Sequence, residues 1–191
     1  IMKILVVGGG TAGWMAAALM ANTLREKAEI ILIESKQIGI IGVGEGSTPK
    51  MRRLFEKLGI PESIWMPKCN ATYKCGIRFP DWSTRKGFKS YYHPFFSSSD
   101  DGSVRAFYQN ATIRSKSFDV HAHPDSFFVS NFLAKNMRAP LPEQSSNYET
   151  DYAYHFDAVG IGQVLKEYST KLGVTHIEDT VQEVLQGEDG Q

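Results

Sequence analysis

The sequence is short of most features that would mark a specialised class. It has two cysteines, Cys69 and Cys75, in 191 residues, too few for a disulfide framework and not spaced as a C-x-x-C pair. Their simplest reading is a pair of reduced cytosolic thiols. There is no excess of either charge: 21 Lys and Arg balance 21 Asp and Glu, without a long run of one sign. That removes the electrostatic footprint by which a protein binds nucleic acid or an anionic membrane, so neither is expected as a partner. No apolar stretch approaches the roughly 18 to 20 residues that cross a bilayer. The N-terminal apolar run is split by Gly8, Gly9 and Gly10, which leaves it shorter than a signal-peptide core, and a cytoplasmic location is expected. No internal repeat or low-complexity tract is present, and no feature specifies an oligomeric state.

What is present is a pattern of strand, glycine turn and helix. Residues 2–7 (MKILVV) form a nearly continuous β-branched apolar run, expected as a strand buried on both faces of a parallel sheet. Gly8-Gly9-Gly10-Thr11-Ala12-Gly13 follows, then the Ala-rich, helix-favouring stretch 14–25. A second apolar run, 30–33, ends in Glu34, 21 residues beyond Gly13. This is the dinucleotide fingerprint. Gly8 permits the tight turn, Gly10 lets a pyrophosphate approach the backbone, and Gly13 lets helix and strand pack closely. The helix N-terminus supplies free N–H groups to the negative charge, and Glu34 accepts from a ribose diol. These residues leave FAD and NAD open.

A second glycine-rich loop, Gly42 to Pro49, leads into a helix expected to start with Thr48 as N-cap and Pro49 at its first position, and to carry Met51, Leu54, Phe55 and Leu58 on one face. Strands are expected over 71–79 and 88–96, a loop at 97–102, and a linker at 140–147. A helix carrying Ile161, Val164, Leu165, Tyr168 and Leu172 stops at Gly173, and strands follow at 174–177 and 180–186. The turn at Gly187 to Gly190 leaves that last strand without a returning partner, so the chain is expected to be the first part of a longer protein. His121 and His123 form H-x-H with no third ligand, and no metal site is expected.

Five segments then fall in a shared order: Gly8 to Trp14, Gly42 to Pro49, Cys69 to Phe79, Tyr92-His93-Pro94-Phe95, and Tyr152 to Ala158. From residue 2 to about 190 the chain resembles the flavin-dependent tryptophan halogenases. The resemblance implies an α/β protein with a glutathione-reductase-like FAD-binding Rossmann fold. Residues 1–60 and 155–191 would form the FAD-binding domain, and 61–154 would begin an inserted substrate-side region. It implies that reduced FAD from a separate flavin reductase, with oxygen and a halide (chloride or bromide), gives hypohalous acid, which Lys74 relays to tryptophan, indole or a related aromatic. Burial suits Lys74 to this role, because it favours the neutral amine. Gly8, Gly10, Thr11, Ala12, Gly13, Glu34, Val43, Gly44, Glu45, Ser47 and Val181 would then contact the cofactor, and His93 and Phe95 would wall the substrate. A flavin monooxygenase or oxidase shares the fingerprint and Glu34 without the Lys74 and His93 motifs. A non-catalytic flavin-binding fragment is the remaining alternative.

Overall fold

A computed structural model describes residues 1–39, 42, 44–141 and 148–185. Val43, the 142–147 part of the expected linker and the expected turn at 187–190 lie outside the described residues. In chain order the elements are β1 (Met2–Val7), α1 (Thr11–Leu24), β2 (Ala28–Glu34), β3 (Gly44–Gly46), α2 (Lys50–Leu58), α3 (Glu62–Lys68), β4 (Thr72–Lys74), β5 (Gly76–Phe79), β6 (Tyr91–Pro94), α4 (Asp101–Ser115), α5 (Val129–Lys135), β7 (Ala153–Asp157), α6 (Ala158–Lys171) and β8 (Thr175–Glu178). No helix among the described residues is long and apolar enough to cross a membrane.

Two compact units form. The first comprises Ile1–Glu45, Leu54–Ala71 and Phe156–Gln191; the second, Gly46–Arg53 and Thr72–His155. The expected division at residue 60 differs from this for two local reasons. Trp65 of α3 stacks on Phe55 at 4.4 Å and 9°, which keeps α3 with the first unit. Ser47 bonds Tyr154 on β7, which keeps 46–53 with the second.

The first unit holds a parallel sheet of order β1-β2-β8, with Met2 opposite Ala28 and Ile31 opposite Thr175. Central β2 buries Ile30 and Leu32 at 4% and 0% exposure. β1 does not have the two buried faces its composition predicts. Among the described residues it pairs only with β2, and Met2, Leu5 and Val7 are 53%, 54% and 55% exposed. Helix α1 buries Trp14, Ala17, Ala18 and Ala21, an i, i+3, i+4, i+7 stripe of mostly small residues against which α6 packs. Close packing also fixes the start of α6. A Cβ on Gly160 would lie 2.9 Å from the Lys68 carbonyl oxygen and 3.0 Å from Cys69 Cα.

Asp157 caps α6, its Oδ1 accepting from the backbone N–H groups of Val159 at 2.8 Å and Gly160 at 3.1 Å. Replacing it with alanine leaves both donors without that acceptor. The expected cost is about 1 kcal/mol, read as a lower urea midpoint with an unchanged m-value. At the other end the helix stops before Gly173, whose φ of +90° suits glycine.

Helix α2 begins at Lys50, so Pro49 precedes it and Thr48 is not its N-cap; the Thr48 carbonyl accepts from Met51 N at 3.0 Å. After β8, residues 180–185 are not a strand, in contrast to the strand expected over 180–186, whose last residue lies outside the described residues. The segment is instead tied by its start: Asp179 N donates to the Glu34 carbonyl at 3.0 Å, and the hydroxyls of Thr180 and Ser35 lie 2.9 Å apart.

In the second unit β4 pairs with β7 and β5 with β6, all antiparallel. The run expected as one strand over 71–79 therefore divides at Cys75 and joins two sheets. The expected loop at 97–102 leads into α4. Ser97 and Asp100 form a capping box, and the Tyr148 hydroxyl donates to Asp100, which is 1% exposed. Burial and that carboxylate push the Tyr148 hydroxyl up to about 12.

Candidate functional site

The glycine turn of the first unit is built as its spacing requires. Gly8 has φ +110°, and its N–H donates to Ile33 O at 2.8 Å, carrying the chain off the end of β1 beside β2. A Cβ on Gly13 would stand 1.9 Å from the Gly8 carbonyl oxygen, so helix and turn meet there backbone to backbone. Gly10 is the N-cap of α1. No side chain caps that helix, no acidic side chain occupies its first turn, and a Cβ on Gly10 would meet no atom within 4 Å. The end of α1 thus presents its backbone N–H groups to open space.

That space is a cavity of about 520 Å³. It is lined by Gly8, Gly9, Gly10, Thr11, Ala12 and Met15 from the turn and helix, by Glu34, Ser35, Ile38 and Gly39 after β2, and by Gly42 and Glu45 from the second loop. Gly8, Gly10, Thr11, Ala12, Glu34 and Glu45 are therefore brought to one cavity. Gly13 packs behind it. Gly44 is exposed on β3 without lining it, Val43 is outside the described residues, and Val181 lies past β8, 38% exposed and not among the described lining residues. The Thr11 hydroxyl donates to the Ala158 carbonyl at 3.3 Å.

Three residues around Glu34 have roles that the sequence does not signal. Glu34 Oε1 lies 3.0 Å from Lys166 Nζ and 2.8 Å from His176 Nε2. Those two side chains flank Trp14, with Lys166 Nζ 5.6 Å from its ring centroid and the His176 ring at 5.3 Å. The carboxylate that ends the fingerprint is thereby held between the Lys166 ammonium and the His176 ring. The third is Gly9, where a Cβ would be 1.7 Å from Glu34 Oε2 and 2.5 Å from Glu34 Cβ. The middle glycine of the triplet makes room for Glu34.

Ser47, expected at the cofactor, belongs to the second unit. It is fastened to β7: its N–H donates to Tyr154 O at 2.9 Å and its Oγ accepts from Tyr154 N at 3.1 Å. Its carbonyl accepts from Lys74 Nζ at 3.0 Å. Lys74 is half-buried on β4, 5.7 Å from the centroid of Phe95, and burial holds its amine below the ordinary lysine range. Lys74 and Phe95 therefore come together. His93 is exposed on β6, opposite Ile77, with its ring edge-on to Phe79 at 6.5 Å. Phe95 is 7% exposed, in the core of the unit.

Both cysteines are buried and free, and burial with the nearby Asp157 carboxylate pushes the Cys69 thiol up to about 11, so neither is a thiolate at neutral pH. His123 is taken up locally: Nδ1 accepts from Asp125 N at 3.2 Å and Nε2 lies 3.1 Å from Ser90 O. His121 stacks on Phe127.

A family model described as "Tryptophan halogenase" matches residues 3–191. Tryptophan 6-halogenase SttH of Streptomyces toxytricini is 36% identical over 202 residues, covering 95% of this chain and 38% of that protein. Tryptophan 7-halogenase RebH of Lentzea aerocolonigenes is 34% identical over 205 residues, with 100% and 38% covered. The crystal structure of the S. toxytricini enzyme superposes with a TM-score of 0.79 at 38% identity, covering 99% of this chain and 37% of that one. The chain thus spans about 38% of the length of these relatives.

Proposed function

The chain belongs to the tryptophan halogenase family, and from this we propose that the whole protein is a flavin-dependent halogenase acting on tryptophan, indole or a related aromatic. The observation that carries the reading is Lys74: a half-buried amine, anchored by the Ser47 carbonyl, beside an aromatic ring and held below its ordinary range. A surface lysine with only solvent around it would stay fully protonated and could not act as a nucleophile.

The first unit is the FAD-binding part, of glutathione-reductase-like type, in this proposal. The residues present fit a dinucleotide. The cavity is walled by glycine backbone, no side chain caps α1, and the Glu34 carboxylate stands at the end of β2. Gly8, Gly10, Thr11, Ala12 and the first turn of α1 would hold the pyrophosphate, with Gly13 keeping the turn on the helix. Glu34, oriented by Lys166 and His176, would take the ribose. Val43, Gly44, Glu45 and Ser47 would supply loop contacts, and Val181 one at the adenine end. When bound, reduced FAD from a separate flavin reductase would activate oxygen, whose oxidising equivalent would convert chloride or bromide to hypohalous acid.

Lys74 acts on that acid. The neutral amine takes the halogen, forming an N–X bond while water leaves, or holds the acid by a hydrogen bond and aims it at the ring. His93 and Phe95 flank the aromatic substrate by stacking. The deciding measurement is mass spectrometry of reactions holding the whole protein, tryptophan or indole, a flavin reductase and bromide or chloride. A halide-dependent mass shift on the substrate is expected. Oxygenated product independent of halide would instead identify a monooxygenase.

A further inference from the structure

His155 lies in the Tyr152 to Ala158 segment, apart from the roles proposed for Lys74, His93 and Phe95. The register of the second unit gives it a place. Thr72 on β4 lies opposite His155 on β7, and Lys74 opposite Ala153. Directly paired residues project from the same face, and so do residues two apart, so Lys74 and His155 share one face of the pair as diagonal neighbours. Their ends converge on β3. A Cβ on Gly46 would stand 3.1 Å from Lys74 Nζ and 3.2 Å from His155 Nδ1, so both side-chain ends crowd the same point, which glycine leaves open. Both residues line one cavity of about 430 Å³.

We propose that His155 is the positioning residue and proton acceptor of Lys74, resting on the reading of Lys74 as the halogen-handling amine. The step is a proton transfer, direct or through one water: the Lys74 ammonium gives its proton to the neutral imidazole, leaving a neutral amine and an imidazolium, with one positive charge shared before and after. Burial and the neighbouring ammonium both hold the imidazole below the ordinary histidine range, so it is neutral and able to accept at neutral pH. The other titratable groups around that cavity are Tyr73, Cys75 and Arg138; Gly46 contributes backbone alone, and Asp157 follows two residues on along β7, occupied as the cap of α6. None of the groups lining the cavity is a carboxylate that would raise the imidazole instead.

Two measurements test this. First, the His155 ring is titrated by NMR in the whole protein carrying ¹³C-histidine, native against Lys74→Met and Lys74→Gln. Removing a positive charge at most about 6 Å away is expected to raise the proton affinity of His155 by about threefold or more, the Coulomb effect even at the dielectric constant of water. Identical midpoints in all three proteins would overturn the pairing. Second, product formation by the whole protein is followed against pH. The native enzyme is expected to lose activity on the acid side at the His155 midpoint, and His155→Gln to be about tenfold or more slower with that limb gone. An unchanged acid limb in His155→Gln would overturn the proton-acceptor role while leaving Lys74 standing. Product made by a Lys74→Ala protein would overturn the reading of Lys74 itself, and the NMR comparison does not depend on it.

Discussion

Lys74→Ala in the whole protein is expected to lower halogenated product by about 10³-fold or more, the scale of removing a group that acts on the reacting atoms. Flavin reduction and reoxidation should continue, because Lys74 is not among the residues proposed to hold the cofactor. Hypohalous acid would then accumulate without a carrier and escape, so its trapping by an added thioether should rise as product falls. Lys74→Arg separates charge from nucleophilicity. A guanidinium keeps the positive charge but stays protonated at any accessible pH, so it should be as inactive as alanine. The fold should tolerate both, since what is lost is one hydrogen bond to the Ser47 carbonyl at 3.0 Å from a half-buried side chain, worth about 1 kcal/mol. The pH sign also follows. Burial lowers the proton affinity of Lys74, so its neutral fraction at a given pH exceeds that of an exposed lysine and rises as the pH approaches its midpoint from below. Full product yield from Lys74→Ala with an intact halide requirement would remove the amine from the mechanism.

What could be read from the sequence was what local backbone geometry dictates. The turn at Gly8, the contact at Gly13 and the open N-cap at Gly10 are properties of a few consecutive residues, and each is found where the spacing puts it. Helices α1 and α6 announce themselves through the periodic burial of Trp14 to Ala21 and of Ala158 to Leu165. Helix α4 does not. None of its residues is buried, so no apolar stripe marks it, and the capping box in the run of Ser and Asp before it belongs to the 3-10 turn Ser98–Asp100, not to α4 itself. The exposure of β1 is not legible in MKILVV, because pairing on one side only, among the described residues, is a property of the sheet. The partners of Glu34 were hidden by distance along the chain: Lys166 lies 132 residues away and arrives only once α6 has packed on α1. His155 meets Lys74 only through strand register, and a one-residue slip would turn it to the other face.

Gly10 and Gly13 are therefore expected to respond differently to the same added methyl group. At Gly13 alanine should gain about 1 kcal/mol of helix propensity, yet its Cβ would sit 1.9 Å from the Gly8 carbonyl oxygen. That obstacle is backbone within the tightest part of the fold, with no rotamer to yield. Helix α1 must move off the turn, at a net cost of about 2 to 4 kcal/mol, and flavin affinity should fall with it. At Gly10 the backbone angles of −68° and 174° are extended and open to alanine, and the new methyl meets nothing within 4 Å. Stability should change by less than about 1 kcal/mol, because alanine is only a poorer N-cap than glycine. But the methyl projects where a pyrophosphate would lie against the backbone, so Gly10→Ala should weaken FAD binding by about tenfold or more with the fold intact. Urea unfolding and FAD fluorescence titration of the two variants read both quantities. A stable Gly13→Ala would contradict the packing of α1 on the turn. A Gly10→Ala protein that binds FAD as the native one does would mean that the open end of α1 is not where the phosphates rest.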